Sequence, residues 1–109
     1  MMDEHEFRTQ SDLALTALYN ALANASDDHN FDTDMNNGAL AIEFEDPPAK
    51  FVISPNTPVR QIWVSAHSRS FKLDWDPARA AFVMPADGQT LKELIERQIE
   101  LRTGEKITL

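Results

Sequence analysis

Acidic side chains in the first half of the chain are the residues best suited to chemistry. Residues 1–46 hold eleven carboxylates and a single cation, Arg8, whereas the remaining 63 residues hold seven acids and nine bases. Carboxylate oxygens bind hard cations and attract basic protein surfaces, and a concentrated negative field repels nucleic acid and anionic lipid. The pattern therefore indicates a cation or a basic protein surface as the partner, with no nucleic acid and no membrane.

Two of these carboxylates, Asp32 and Asp34, lie in a segment that alternates like a strand, and they would share its solvent face. Their positions would be about 6.6 Å apart, which is too wide for both to bind one bare cation through metal–oxygen bonds of about 2.0 to 2.6 Å. A metal here would be weakly held, exposed and partly hydrated. The alternative is a solvated negative face that serves solubility only.

A β-hairpin is predicted to position these carboxylates. Asn37-Gly38 is the dipeptide preferred in two-residue type I′ turns, and two alternating runs flank it. The turn sets a register whose apolar face places Met35 opposite Leu40, Thr33 opposite Ile42 and Phe31 opposite Phe44. On the other face Asp34 lies opposite Ala41, and Asp32 lies opposite Glu43. That like-charge pair costs stability, which a bound cation would relieve.

The rest of the sequence predicts a helix, several short strands and a second helix. The first helix covers residues 6–24, and a capping box of Thr90 and Glu93 opens the second, which stops at Gly104. Strands are predicted at Phe51–Ser54 after a Pro47-Pro48 turn, Arg60–Ala66, Phe71–Trp75, and Ala81–Met84 after an Asp76-Pro77 turn. The expected fold class is α+β, a two-layer sandwich forming a single domain over residues 1–109. Two helices pack on one face of an antiparallel sheet of about six strands.

A tryptophan is expected on the open face of this sheet. Alternation along Gln61–Ser65 turns Ile62 and Val64 inward and therefore Gln61, Trp63 and Ser65 outward. An outward tryptophan suits a partner-docking anchor, because tryptophan is enriched at binding hot spots. The alternative is that a loop or tail covers Trp63, or that it pads Val52 across the sheet.

Catalysis and secretion find little support in the sequence. There is no phosphate-binding glycine loop, no metal-binding histidine pair at helical spacing, no Ser or Thr with a sequence-level base partner and no cysteine. His5 and His29 neighbour acids but are expected to be ordinary surface histidines, and His67 is placed in a hairpin loop without a role. The missing catalytic motifs predict that the protein is not an enzyme. The acidic start and the lack of a long apolar run predict a cytoplasmic protein.

The sequence resembles the frataxin family, specifically its bacterial CyaY type. The resemblance is carried by Phe51–Ser65 with its Gln61-Ile62-Trp63 core, by Phe71–Trp75 and by the Asn-Gly hairpin of Asp32–Leu40. It extends over essentially the whole chain, in the order helix, strands, helix. It implies a small α+β protein that binds iron weakly, as Fe(II) or Fe(III), with no organic cofactor. It also implies a monomer when metal-free.

The resemblance further implies partners and site residues. Frataxins bind the cysteine desulfurase and scaffold complex of iron–sulfur cluster assembly and modulate its rate. Carried over by position, the acidic ridge falls on Asp27, Asp28, Asp32 and Asp34, and the sheet-face contacts fall on Trp63 and Gln61. With the co-facial Glu43, the expected metal residues are Asp27, Asp28, Asp32, Asp34 and Glu43. The same four aspartates are expected to bind the partner.

Two departures from the family pattern bear on these expectations. The second half of the first helix, acidic in bacterial relatives, reads Tyr19, Asn20, Ala23 and Asn24, and the family's Ile-Asn-x-Gln stretch reads Ile53-Ser-Pro-Asn56. The leading hypothesis is an iron-binding regulator or iron chaperone of iron–sulfur cluster assembly. The alternative is a metal-independent acidic interaction module that modulates the desulfurase. A third hypothesis, an iron-oxidising enzyme, would need Glu-x-x-His pairs, and the sequence contains none.

Overall fold

The computed structural model describes residues 2–45 and 48–109, so Pro47 of the predicted Pro47-Pro48 turn lies outside the described residues. Along the chain, one helix precedes six strands and a second helix follows them, with short 3₁₀ turns at Ser26–Asp28 and Thr57–Val59. In chain order the elements are α1 Glu4–Ala25, β1 Asp32–Asn36, β2 Ala39–Glu45, β3 Pro48–Asn56, β4 Gln61–Ala66, β5 Arg69–Asp76, β6 Ala81–Val83 and α2 Leu91–Thr103. The predicted α+β class and element order are confirmed.

The six strands form one antiparallel meander in which spatial order equals chain order, from β1 to β6. The inward residues of the strands are buried against apolar residues of both helices, among them Phe7, Leu22, Ile95 and Ile99, which are fully buried. Burial of such side chains is the main favourable term in folding. The helices therefore cover one sheet face and leave the other to solvent.

Both helices begin at capping residues that the sequence supplies. The Asp3 carboxylate accepts a hydrogen bond from the Glu6 amide, 2.8 Å away, at the start of α1. At the start of α2, Thr90 and Glu93 form the predicted capping box, and Gly104 ends the helix with φ of 76°. A left-handed residue at this position favours glycine because a Cβ there is strained.

The predicted hairpin register is confirmed pair by pair. In β1 and β2, Asp32 lies opposite Glu43, Thr33 opposite Ile42, Asp34 opposite Ala41 and Met35 opposite Leu40. Asn37 and Gly38 both have positive φ, at 54° and 80°, as a type I′ turn requires. Phe31 precedes the ladder and meets Phe44 through a ring contact with centroids 6.0 Å apart.

All four strands after the hairpin differ in their limits from the sequence prediction: β3 and β5 are longer at both ends, β4 begins one residue later and β6 ends one residue earlier. β4 begins at Gln61 because Arg60 has φ of 55°, a left-handed conformation that cannot continue a strand. β3 begins at Pro48, which the sequence prediction places in a turn but which pairs with Glu45. β3 also extends through Pro55, opposite Ile62. Pro55 is tolerated because β2 pairs with β3 only as far as Ile53, so Pro55 has a partner strand on one side alone.

The tip of the β4–β5 hairpin is attached to the helix layer. His67 Nε2–H donates to the carbonyl oxygen of Gln98 in α2 at 3.1 Å, and its ring lies 5.1 Å from that of Phe51. His67 therefore has a structural role that the sequence did not reveal. No helix among the described residues is both long and apolar enough to cross a membrane.

Candidate functional site

The open face of β4 presents the residues that alternation predicted. Ile62 and Val64 are buried, whereas Trp63 and Ser65 are exposed and Gln61 is half-buried. Trp63 retains 37% of its surface exposed. It lies opposite Ser54 on β3 rather than opposite Val52. A large aromatic ring is thus available on the open face of the sheet.

Neighbouring side chains hold the Trp63 ring in one orientation. Its indole N–H donates to the Gln61 side-chain oxygen at 2.9 Å, and the Gln61 amide donates to Asp74 at 3.0 Å. From the facing strand, the Lys72 ammonium lies 4.9 Å from the ring centroid, within cation–π range. The sequence alone revealed neither Lys72 nor Asp74, since both contacts depend on the pairing of β4 with β5.

An acidic edge, formed by Asp32, Asp34 and Glu43, lies on the same face at the β1–β2 end of the sheet. All three carboxylates are exposed, and Asp32 lies opposite Glu43 as predicted. The Glu43 carboxylate, however, is 3.7 Å from the ammonium of Lys50 on β3. A lysine of the chain itself thus offsets part of the like-charge repulsion for which the sequence suggested a bound cation.

Asp27 and Asp32 both line a half-open cleft of about 700 Å³. Two further acids, Glu45 and Glu105, also line this cleft, together with Phe31, Phe44, His29 and Arg102. Alternation along β2 could have indicated Glu45, which shares the open face with Glu43. Glu105 follows α2 and reaches the cleft only through the tertiary fold. The side chain of Asp28, the fifth predicted metal residue, lies outside the described part.

His29 is less exposed than the sequence indicated. Its ring stacks on Phe31, with centroids 6.5 Å apart, and its Nδ1 is 3.6 Å from the Glu105 carboxylate. His5 is exposed on α1. Among the side chains that the structure describes, which exclude that of Asp28, no three of His, Asp or Glu converge into a group that could hold a metal ion. The acidic positions are therefore spread over the edge and the cleft.

The meander backed by two helices, with an acidic edge and a tryptophan on its open face, defines a domain of the frataxin-like class. A family model described as a frataxin-like domain matches residues 1–105. Proteins named iron-sulfur cluster assembly protein CyaY are similar along most of the chain. The protein from Pseudomonas putida F1 is 33% identical over 93 residues, 84% of each chain. That of Azotobacter vinelandii is 32% identical over 83 residues, 74% of each. The chain therefore belongs to the frataxin family, in its bacterial CyaY type.

Solved structures support the same fold. The frataxin of Psychromonas ingrahamii superposes with a TM-score of 0.77 at 20% identity, covering 98% of this chain and 97% of that one. Yeast frataxin superposes with a TM-score of 0.70 at 21% identity, covering 88% of this chain and 79% of its own. At these identities the structural similarity concerns the arrangement of helices and strands.

Proposed function

We propose that this chain acts in cytoplasmic iron–sulfur cluster assembly as a non-catalytic, iron-binding regulator or iron chaperone. It binds Fe(II) weakly at its acidic edge and docks onto the cysteine desulfurase and scaffold complex. The relatives named as cluster assembly proteins support the pathway. The observation that carries the proposal is that one open sheet face holds both the acidic edge and an exposed, oriented Trp63.

The metal part of the proposal rests on the donor chemistry of the acidic edge. Asp32, Asp34 and Glu43 offer exposed carboxylate oxygens, and water would complete the coordination of a divalent ion. Fe(II) binds oxygen ligands with low affinity and little selectivity, as expected from its early place in the Irving–Williams series. Iron held in this way is cargo that exchanges readily, which suits a donor or sensor better than a store.

The docking part rests on the Trp63 side chain and its supports. An aromatic anchor that is already oriented loses little conformational freedom on binding, so more of its contact energy appears as affinity. Lys72 and Gln61 provide that orientation. The acidic edge on the same face adds long-range attraction toward a basic enzyme surface and raises the association rate.

A second candidate is a metal-independent interaction module with the same docking face. The contact between Lys50 and Glu43 favours it, because an internal cation already neutralises one carboxylate of the acidic edge. In this case the acids serve only to attract the desulfurase.

A pull-down with purified cysteine desulfurase separates the two candidates. The chain is incubated with the enzyme anaerobically with Fe(II), and in parallel with a chelator. Loss of binding in chelator supports metal-dependent regulation, whereas full retention supports the interaction module. An anaerobic Fe(II) titration followed by amide NMR tests the metal site directly. Shifts should concentrate in residues 27–34 and at Glu43, and no shift there at millimolar Fe(II) would remove iron from the proposal.

Replacing Trp63 by alanine tests the docking face. If Trp63 is a hot spot, Trp63→Ala weakens desulfurase binding by about 2 kcal/mol or more, roughly thirtyfold in Kd. Leu101→Ala is the matched control, since Leu101 is also an exposed apolar residue but lies on α2, in the helix layer. Equal Kd values for wild type and Trp63→Ala would return Trp63 to a purely structural role.

A further inference from the structure

The two edge strands of the sheet, β1 and β6, differ in whether another backbone segment pairs with their outer side. At the β6 edge, Val83 bridges to Thr90, and the Met84 amide donates to the Gln89 carbonyl at 2.8 Å, so the following loop lies along this edge. At the other edge, β1 pairs with β2 alone, and no further strand lies beside it in the part of the chain that the structure describes. The β1 edge is therefore the uncovered one.

The hairpin register determines which backbone groups of β1 face outward. In a two-residue hairpin the pair that closes the turn, here Asn36 and Ala39, is hydrogen bonded, and bonded and non-bonded pairs then alternate. Asp34 and Asp32 consequently bond to β2, whereas Thr33 and Met35 direct their N–H and C=O groups away from it. Neither residue makes a backbone hydrogen bond outside the ladder among the described residues. Four backbone groups are thus free to pair with another strand.

The side chains of β1 indicate what such a strand would carry. Asp32 and Asp34 project from the open face and are exposed, whereas Thr33 and Met35 lie on the helix side and are half-buried. Met35 packs against the core. An added strand would therefore place alternate residues beside two carboxylates, and the residues between them beside a half-buried apolar surface. Lysine or arginine suits the first set, and β-branched residues suit the second.

We propose that the β1 edge binds an extended segment of a partner protein by antiparallel β-strand addition, the segment carrying basic residues at alternate positions. Strand addition of this kind takes affinity from main-chain hydrogen bonds and specificity from alternate side chains. The occupant is identified by charge complementarity with Asp32 and Asp34. The inference goes beyond the proposed function, because it requires neither metal nor the Trp63 face.

The test uses a blocked synthetic peptide of sequence RVKIRVK in buffer with chelator. In the antiparallel pairing, the apolar peptide residues lie opposite Thr33 and Met35 and turn their N–H groups toward β1, whereas the basic residues turn theirs away. N-methylation of the three apolar residues should therefore weaken binding at least about fivefold, since two or more hydrogen bonds are lost. The same three methyl groups on basic residues should leave Kd within about threefold.

Two variants of the protein test the same pairing from the other side. Met35→Pro removes an outward N–H, which edge strands tolerate, and should bind the peptide about two- to twelvefold more weakly than Met35→Ala, which keeps it. On peptide binding, amide exchange should slow at Thr33 and Met35. Equal Kd values for the two methylated peptides, or unchanged exchange at both amides, would overturn strand addition and leave simple charge attraction. Because chelator is present throughout, failure here does not affect the iron proposal.

If Met35→Pro does not fold, the methylated peptides still decide the question with the wild-type chain. The carboxylates of Asp32 and Asp34 could have the opposite effect and prevent another strand from pairing with β1. The double variant Asp32→Asn with Asp34→Asn distinguishes the two. Strand addition predicts weaker peptide binding, whereas protection predicts unchanged or tighter binding together with self-association, and that result would overturn the proposal.

Discussion

Replacing Lys50 is a direct way to raise the metal affinity of the acidic edge. Its ammonium lies 3.7 Å from the Glu43 carboxylate, so an Fe(II) ion that uses Glu43 must compete with it. Lys50→Gln removes the competitor and also removes a positive charge that repels the ion. Both effects act in the same direction, and the variant is expected to bind Fe(II) more tightly than the wild type.

The magnitude follows from the exposure of the ion pair. The side chains of Lys50 and Glu43 are 58% and 55% exposed, so solvent screens their attraction. Ion pairs of this kind contribute about 0.2 to 1 kcal/mol. Breaking the pair on metal binding therefore costs about 1.4- to 5-fold in affinity, and Lys50→Gln should recover that factor. The gain should shrink as the salt concentration is raised toward about 0.5 M, because a shorter Debye length screens the attraction between Lys50 and Glu43.

Anaerobic Fe(II) titration followed by amide NMR measures this change at the acidic edge itself. Lys92→Gln is the control, because it alters the net charge equally but lies in the first turn of α2. Unchanged or weaker Fe(II) binding in Lys50→Gln, or an equal gain in Lys92→Gln, would refute the assignment of Glu43 to the metal site.

Three further predictions concern Trp63 and the start of α2. Lys72→Ala removes the cation–π contact to Trp63, worth about 0.5 to 1 kcal/mol at an exposed site, and should weaken desulfurase binding about two- to fivefold, less than Trp63→Ala. No change in Kd would show that Lys72 does not orient the ring. Thr90→Ala removes the N-cap of α2 and should lower the free energy of unfolding, measured in urea, by about 1 kcal/mol. Thr9→Ala should not lower it, because Thr9 is an exposed residue within α1 and caps no helix. Hydrogen bonds from Thr90 hold the pKa of Glu93 below its ordinary value, so its stabilising contribution is complete above the unfolded-state pKa and is lost as pH falls through the folded-state pKa. Between pH 6 and pH 3 the wild type should therefore lose stability relative to Glu93→Gln, and a constant difference would contradict this.

Local signals made much of the fold predictable. Asn37-Gly38 has one favoured turn type, and a two-residue turn with alternating flanks permits one register, so the β1–β2 pairs followed from the sequence. The capping box at Thr90 is equally local. The passage of β3 through Pro55 was not predictable, because it depends on how far β2 extends beside β3.

The open face was predictable as a set of residues but not as a set of contacts. Alternation placed Trp63, Asp32 and Asp34 on it. Gln61 lies on the same strand as Trp63, but Lys72 and Asp74 come from β5. The cation beside Glu43 comes from β3, so these contacts require the registers of β3 and β5. Glu105 lines the same cleft as Asp27 because the segment after α2 lies near His29, and no periodicity in the sequence reports this proximity.

The contact of His67 with Gln98 has a mechanical consequence for docking. Trp63 and His67 belong to the same hairpin arm, and the tip of that arm is fastened to the middle of α2. Moving this hairpin away from the core would therefore require breaking the His67–Gln98 hydrogen bond as well as exposing Ile62 and Val64. A partner that binds Trp63 therefore contacts a hairpin whose tip is hydrogen bonded to α2, so the docking face and the helix layer are coupled.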